Sequence, residues 1–278
     1  MLVACAVLVL ILGMLFQMLG IMSKTWISGQ AKAENSVKAR AMLDLMGSDI
    51  AASLSRADLP AFRDASGNPT PSGSSKLYVF YTRRQGVAPG ADPNTIRPLS
   101  LISYEYDPAD SSLVRRDLPV MWNTPGPFRP DGRIADAGTL GGQPPREISP
   151  GIVAFSLKFL AADQTLSDTY LPPDASAPYY DSTVNASAPP YDPLKVSRSV
   201  VVSIAVVDAK TLDLLKSTGH LETLQNANFW TSASGGGNML ANWQKAISDG
   251  KLSQNGLPAA VAANLLVLER SIPLPAQP

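Results

Sequence analysis

The sequence predicts an α+β protein in which a long N-terminal transmembrane helix continues into an antiparallel β-rich head. Three observations predict it. Residues 1–22 are apolar apart from Gly13, Gln17 and Gly20. The stretch from Ser28 to Leu54 contains no proline and repeats apolar residues every fourth position. Beyond residue 60, short alternating segments are separated by stretches rich in the chain's 24 prolines and 20 glycines, the pattern of strands joined by long loops.

The first segment, residues 1–22, is long enough to span roughly 33 Å as a helix, against a hydrocarbon core of about 30 Å. It is therefore expected to cross a membrane. A cleaved export signal needs a basic start, a shorter apolar run and a small-residue cleavage site, and none of these is present. Residues 23–59 are expected to continue the same helix outside the membrane until Pro60 closes it. There Val37, Ala41 and Leu45 recur at four-residue spacing, as do Met42, Met46 and Ile50, which marks a face for packing on the head. Lys32, Glu34, Lys38, Arg40 and Asp44 lie largely elsewhere.

Residues 60–278 form the expected head. Lys76 to Thr82 alternates as a strand, and Leu99 to Asp107 joins Ser112 to Leu118 through an Asp-Pro-Ala-Asp-Ser turn as an antiparallel hairpin. Ile152 to Leu160 reads as a half-buried strand with Val153, Phe155, Leu157 and Phe159 on one face. Ser199 to Asp208 is apolar on both faces and is expected to be a central strand. Asp208 to Ser217 and Met239 to Ile247 each read as a short helix or turn, and Leu265 to Ile272 as a last strand. Tyr170, Tyr179, Tyr180 and Tyr191 stand among prolines, where they either form a contact surface or cover a sheet edge.

Chemistry is sparse. Lys plus Arg and Asp plus Glu both number 23, which gives no electrostatic reason for a nucleic-acid partner. A single Cys and a single His exclude disulfides within the chain, Cys/His zinc sites and Cys-His catalysis. His220 has no Ser in a nucleophile-elbow motif to serve. The glycines at 235–237 precede Asn238 and Met239 rather than the Lys and Ser/Thr of a phosphate loop. Asp107 with Asp110, or Asp163 with Asp168, have the chemistry for Ca²⁺, but Asp in a turn more commonly caps its own backbone. The expectation is therefore no catalytic, cofactor-binding or metal residues, no cofactor and no enzymatic activity.

Met1-Leu-Val-Ala-Cys-Ala-Val-Leu-Val-Leu-Ile-Leu-Gly13 resembles the part of a type IV prepilin N-terminus that follows the processing motif. Ser28-Gly-Gln-Ala-Lys-Ala-Glu34 and Ala39-Arg-Ala-Met-Leu-Asp-Leu-Met46 resemble the helix of J-type minor pseudopilins, and are similar to proteins called Verru_Chthon cassette protein C. The resemblance covers about the first sixty residues. It implies a structural subunit of a type II secretion or type IV pilus-type assembly, anchored by a single pass in the bacterial inner membrane with its head in the periplasm or outside. It also implies other pseudopilins or pilins as partners of the helix, membrane lipid around it, and an upstream leader for a prepilin peptidase and N-terminal methylation. Such a leader removes the conflict posed by Lys24, Lys32, Lys38 and Arg40, which all follow the span. Small residues at Ala4, Ala6, Gly13 and Gly20 provide positions where helices approach closely. Two other readings are a signal-anchored periplasmic or surface binding module that does not polymerise, and a membrane-tethered hydrolase.

Overall fold

In a computed structural model, the backbone is described for residues 2–54, 62, 76–84, 86–87, 96–97, 99–120, 145, 147–171, 194, 196–227, 230 and 238–275. Side chains are described for the same residues except 2–10, 24, 27, 28, 76, 86, 87, 96, 97, 120, 147 and 148.

One helix, α1 (Leu2–Ala51), runs for 50 residues. Its second half supplies Ala39, Met42, Leu43, Met46 and Ile50 to the core, residues that lie on one face of the helix. Burying each of the larger side chains contributes about 2 kcal/mol, enough to hold the helix against the head. The helix ends at Ala51, before Pro60, because the chain turns there into a sheet edge. Leu54 N–H donates to the Tyr81 carbonyl (2.8 Å) and Arg83 N–H to that of Ala52 (2.9 Å).

The transmembrane expectation for residues 1–22 is corrected by the structure. Among the described residues no helix is long and apolar enough to cross a membrane.

Among its described residues the head holds two four-stranded antiparallel sheets and a two-stranded ribbon. The first sheet has the order β1 (Lys76–Thr82), β4 (Leu99–Asp107), β5 (Ser112–Val120) and β6 (Glu147–Pro150). The ribbon pairs β2 (Gly86–Val87) with β3 (Ile96–Arg97). The second sheet has the order β10 (Leu266–Pro273), β9 (Ser197–Val206), β7 (Ile152–Ala161) and β8 (Leu166–Ser167). The expected β4–β5 hairpin forms, with Asp107 opposite Ser112.

Gly151 carries the chain from the first sheet to the second. Its φ is +84°, and a Cβ there would lie 2.6 Å from the Val207 carbonyl oxygen, so only glycine fits this junction.

Helix α1 packs over both sheets. Tyr78, Phe80, Ile102, Tyr104 and Tyr106 from the first meet Phe155, Leu157, Phe159 and the even-numbered residues Val200 to Val206 from the second in one core. Among the described residues, the outer face of the second sheet is covered by the short helices α2 (Ala209–Ser217), α3 (Leu221–Gln225), α4 (Met239–Ser248), α5 (Lys251–Gln254) and α6 (Ala259–Asn264). Trp230 and Trp243 meet edge to face beneath them, with ring centroids 4.7 Å apart. Strand β9 is thus covered on both faces.

Strand β7 is also buried on both faces rather than half-buried. Val153 does not share a face with Phe155. A register shift between Ile152 and Ala154 turns it to the helical side.

Candidate assembly surface and its anchor

The first half of α1 projects a surface that the head does not cover. Ile11, Leu12, Met14, Leu15, Phe16, Met18, Leu19, Ile21 and Met22 are all exposed, Phe16 to 71% and Trp26, beyond them, to 77%. At 100° per residue the run from Ile11 to Met22 spreads over roughly 220° of the circumference, about twice the stripe of a one-sided amphipathic helix. The remaining side carries Gly13, Gln17 and Gly20. A Cβ built at Gly13 or Gly20 meets nothing within 4 Å, so this strip is open. Ala4 and Ala6 lie within α1, but their side chains fall outside the described residues. Further along, Ile21, Met22, Thr25, Trp26, Gly29, Gln30 and Ala33 line a trough of about 730 Å³.

Of the residues expected to pack the helix on the head, Met42, Met46 and Ile50 are buried and Leu45 packs against their cluster. Val37 is 67% exposed and Ala41 is exposed. The packing face is rotated toward Ala39 and Leu43, because the helix lies across two sheets rather than along one.

The anchor that the sequence reading missed is Asp49. It is completely buried on α1 and receives three donors. The Tyr104 hydroxyl donates to one carboxylate oxygen at 2.6 Å, Arg115 Nε donates to the same oxygen at 2.7 Å, and Arg84 donates to the other at 2.6 Å. Arg84 also donates to the Ser48 hydroxyl at 2.9 Å. One carboxylate therefore ties the helix to β4, β5 and the end of β1. Burial pulls the Arg115 pKa down, but the hydrogen bond and charge of Asp49 outweigh it and raise it overall. Burial first, and Asp49 second, push the Tyr104 hydroxyl well above its ordinary value. A lone acid on an otherwise apolar helical face was the signal available in the sequence.

A second tie joins Arg270 of β10 to Asp44 of α1. The guanidinium carbon lies 3.1 Å from where a Cβ on Gly47 would stand.

The remaining candidates have structural employment. Asp107 accepts from Ala109 N–H (2.9 Å), Asp163 from Thr165 N–H (2.9 Å), and Asp168 pairs with Lys158 at 3.0 Å. His220 sits at the start of α3. Among the described residues no group of three or more His, Cys, Asp or Glu could hold a metal ion. Tyr170 covers Phe62 and Phe159, whereas Tyr179, Tyr180, Tyr191 and Gly235 to Gly237 lie outside the described residues.

These features define an α+β protein with a helical spine shared by two antiparallel sheets and an uncovered apolar tip. A chain in the crystal structure of the GspK-GspI-GspJ complex, from the type 2 secretion system of enterotoxigenic Escherichia coli, is weakly similar to it. The TM-score is 0.32 at 12% identity, and the match covers 63% of this chain and 90% of that one. No protein-family model and no curated protein matches the sequence.

Proposed function

We propose that this chain is a non-enzymatic structural subunit of a pseudopilin-type assembly, joined to its neighbours through the first half of α1. One observation carries the reading: exposed large apolar side chains spread over roughly 220° of the helix between Ile11 and Met22, more than one partner helix can cover. Several neighbouring helices bury such a surface, and the Gly13–Gly20 strip gives one of them a close approach. Asp49 supports the role, since a subunit held by its helix needs that helix fixed firmly to its head. The sequence resemblance to J-type minor pseudopilins points the same way, and the finer kinship to Verru_Chthon cassette protein C belongs to this proposal. We further propose that the head works outside the cytoplasm, in the periplasm or beyond.

Photo-crosslinkers placed singly at Leu12, Phe16 and Trp26 in cells test the reading, with the attached peptides identified by mass spectrometry. Crosslinks from all three positions to N-terminal helices of other pilin-like subunits are expected. Adducts to lipid alone, or none, would reject the assembly role.

A further inference from the structure

The second sheet ends at one side on the short strand β8 and the stretch of β7 that β8 leaves unpaired, and at the other on β10, and the two edges are treated differently. On β7 the outward carbonyls of Val153 and Leu157 are taken up by tyrosine hydroxyls of the first sheet, from Tyr106 at 3.0 Å and Tyr78 at 3.3 Å. Strand β10 is last in the sheet at the other end. Leu274 N–H donates to the Arg198 carbonyl, which assigns the even-numbered residues of β10 to hydrogen bonds with β9 in an antiparallel ladder. Val267, Glu269 and Ser271 consequently direct their N–H and C=O groups away from the sheet, and none of those backbone groups has a partner among the described residues. Helix α1 lies on one face of β10, with Leu268 and Ile272 packed in the core beneath it, and α4 lies on the other, where Leu240 N–H donates to Glu269. Among the described residues nothing covers the edge between them.

A crevice of about 230 Å³ adjoins the start of this edge. Lys32, Asn35 and Ser36 of α1 form one wall, and residues 263–266 at the junction of α6 and β10 form the other. The three polar side chains of α1 have no hydrogen-bond partner among the described residues. Lys32 brings a cation to the point where a strand running antiparallel to β10 would end.

We propose that the β10 edge accepts an extended segment of another polypeptide, added as a fifth, antiparallel strand, with an acidic residue or C-terminal carboxylate at its end held by Lys32 in the crevice. Main-chain hydrogen bonds to Val267, Glu269 and Ser271 supply the pairing, and the charge of Lys32 selects the acidic end. Two copies of this chain paired about Glu269 or Arg270 would set like charges opposite each other. Any two-fold pairing would also point their α1 tips apart, so the choice of a foreign strand over a second copy rests in part on the assembly role. Binding at the edge itself does not depend on that role.

The test uses the full chain in mild detergent and a fluorescent peptide, Thr-Val-Thr-Val-Thr-Val-Asp with a free carboxylate, followed by polarisation. The wild type is expected to bind it more tightly than the same peptide ending in an Asn amide, and Lys32→Gln to remove that difference. Ser271→Pro deletes an outward N–H while leaving the β9 ladder intact, so circular dichroism stays unchanged and binding falls about tenfold. Peptides N-methylated at the valines or at the threonines provide a second measurement on unaltered protein, and one of the two sets should abolish binding. No binding by the wild type, unchanged binding by Ser271→Pro, or equal binding of both N-methylated peptides would overturn the proposal. So would a dimer of the chain that Ser271→Pro dissolves. Loss of crosslinks at Phe16 with intact peptide binding would remove the assembly role and leave this site standing.

Discussion

Replacing Asp49 by Ala tests how the helix is locked to the head. The carboxylate is fully buried between the Tyr104 hydroxyl, Arg115 and Arg84, at 2.6, 2.7 and 2.6 Å. Its removal leaves the Arg115 charge, whose side chain is only 9% exposed, with the more distant Asp117 carboxylate at 3.8 Å in place of its close buried partner. Breaking such a pair on one side costs about 3–5 kcal/mol, a large part of the 5–15 kcal/mol typical of a folded domain. Arg84 is 39% exposed and solvent-screened, so Arg84→Ala should cost about 1 kcal/mol or less. Tyr104→Phe removes one hydrogen bond to a charged group and should cost about 2 kcal/mol. Urea unfolding followed through Trp230 and Trp243 measures all three, and the order Asp49→Ala, Tyr104→Phe, Arg84→Ala is the result the geometry requires. A cost for Asp49→Ala below that of Arg84→Ala would refute the view that this carboxylate is the anchor.

Gly151→Ala places a Cβ 2.6 Å from the Val207 carbonyl at φ +84°, and should destabilise the head by about 3 kcal/mol in the same urea assay. Tyr78, Tyr104 and Tyr106 all have hydroxyls raised above the ordinary 10.0, chiefly by burial. The folded state thus holds these protons more tightly than the unfolded one, so their stabilisation is complete below pH 10.0 and is lost as pH rises above it. Melting temperature against pH, with phenolate absorbance as the second signal, checks this. Gly20→Leu fills the open strip on α1 and should leave urea unfolding of the head within about 0.5 kcal/mol of wild type while reducing the crosslinks from Phe16.

The parts of the fold that were legible in the sequence are those governed by local pattern. The β4–β5 turn is written in Asp107 to Ser111, and the double-sided apolar run of β9 marked it as central. Met42, Met46 and Ile50 stood out by spacing alone. Val153 was assigned to the wrong face because a bulge, which strict alternation does not reveal, shifts the register behind it. Helices α3, α5 and α6 are too short for a periodic signal and are held by burial of Leu224, Leu252 and Val261. Asp49 escaped notice because its three donors come from positions 35, 55 and 66 residues away in sequence. The packing face of α1 turned away from Val37 for a reason that only the arrangement of two sheets supplies.

The central claim is that α1 has two halves, one built into the head and one left for neighbouring subunits. Its own methionines report on both: Met14, Met18 and Met22 are 65%, 66% and 70% exposed, whereas Met42 and Met46 are 5% and 0% exposed. Hydroxyl-radical footprinting of the isolated subunit and of the assembled material, read by mass spectrometry, measures the oxidation rate at each. The account predicts rapid oxidation of Met14, Met18 and Met22 in the isolated chain, strong protection of those three on assembly, and slow oxidation of Met42 and Met46 throughout. Equal oxidation of Met18 in both states, or rapid oxidation of Met46 in the folded subunit, would contradict it.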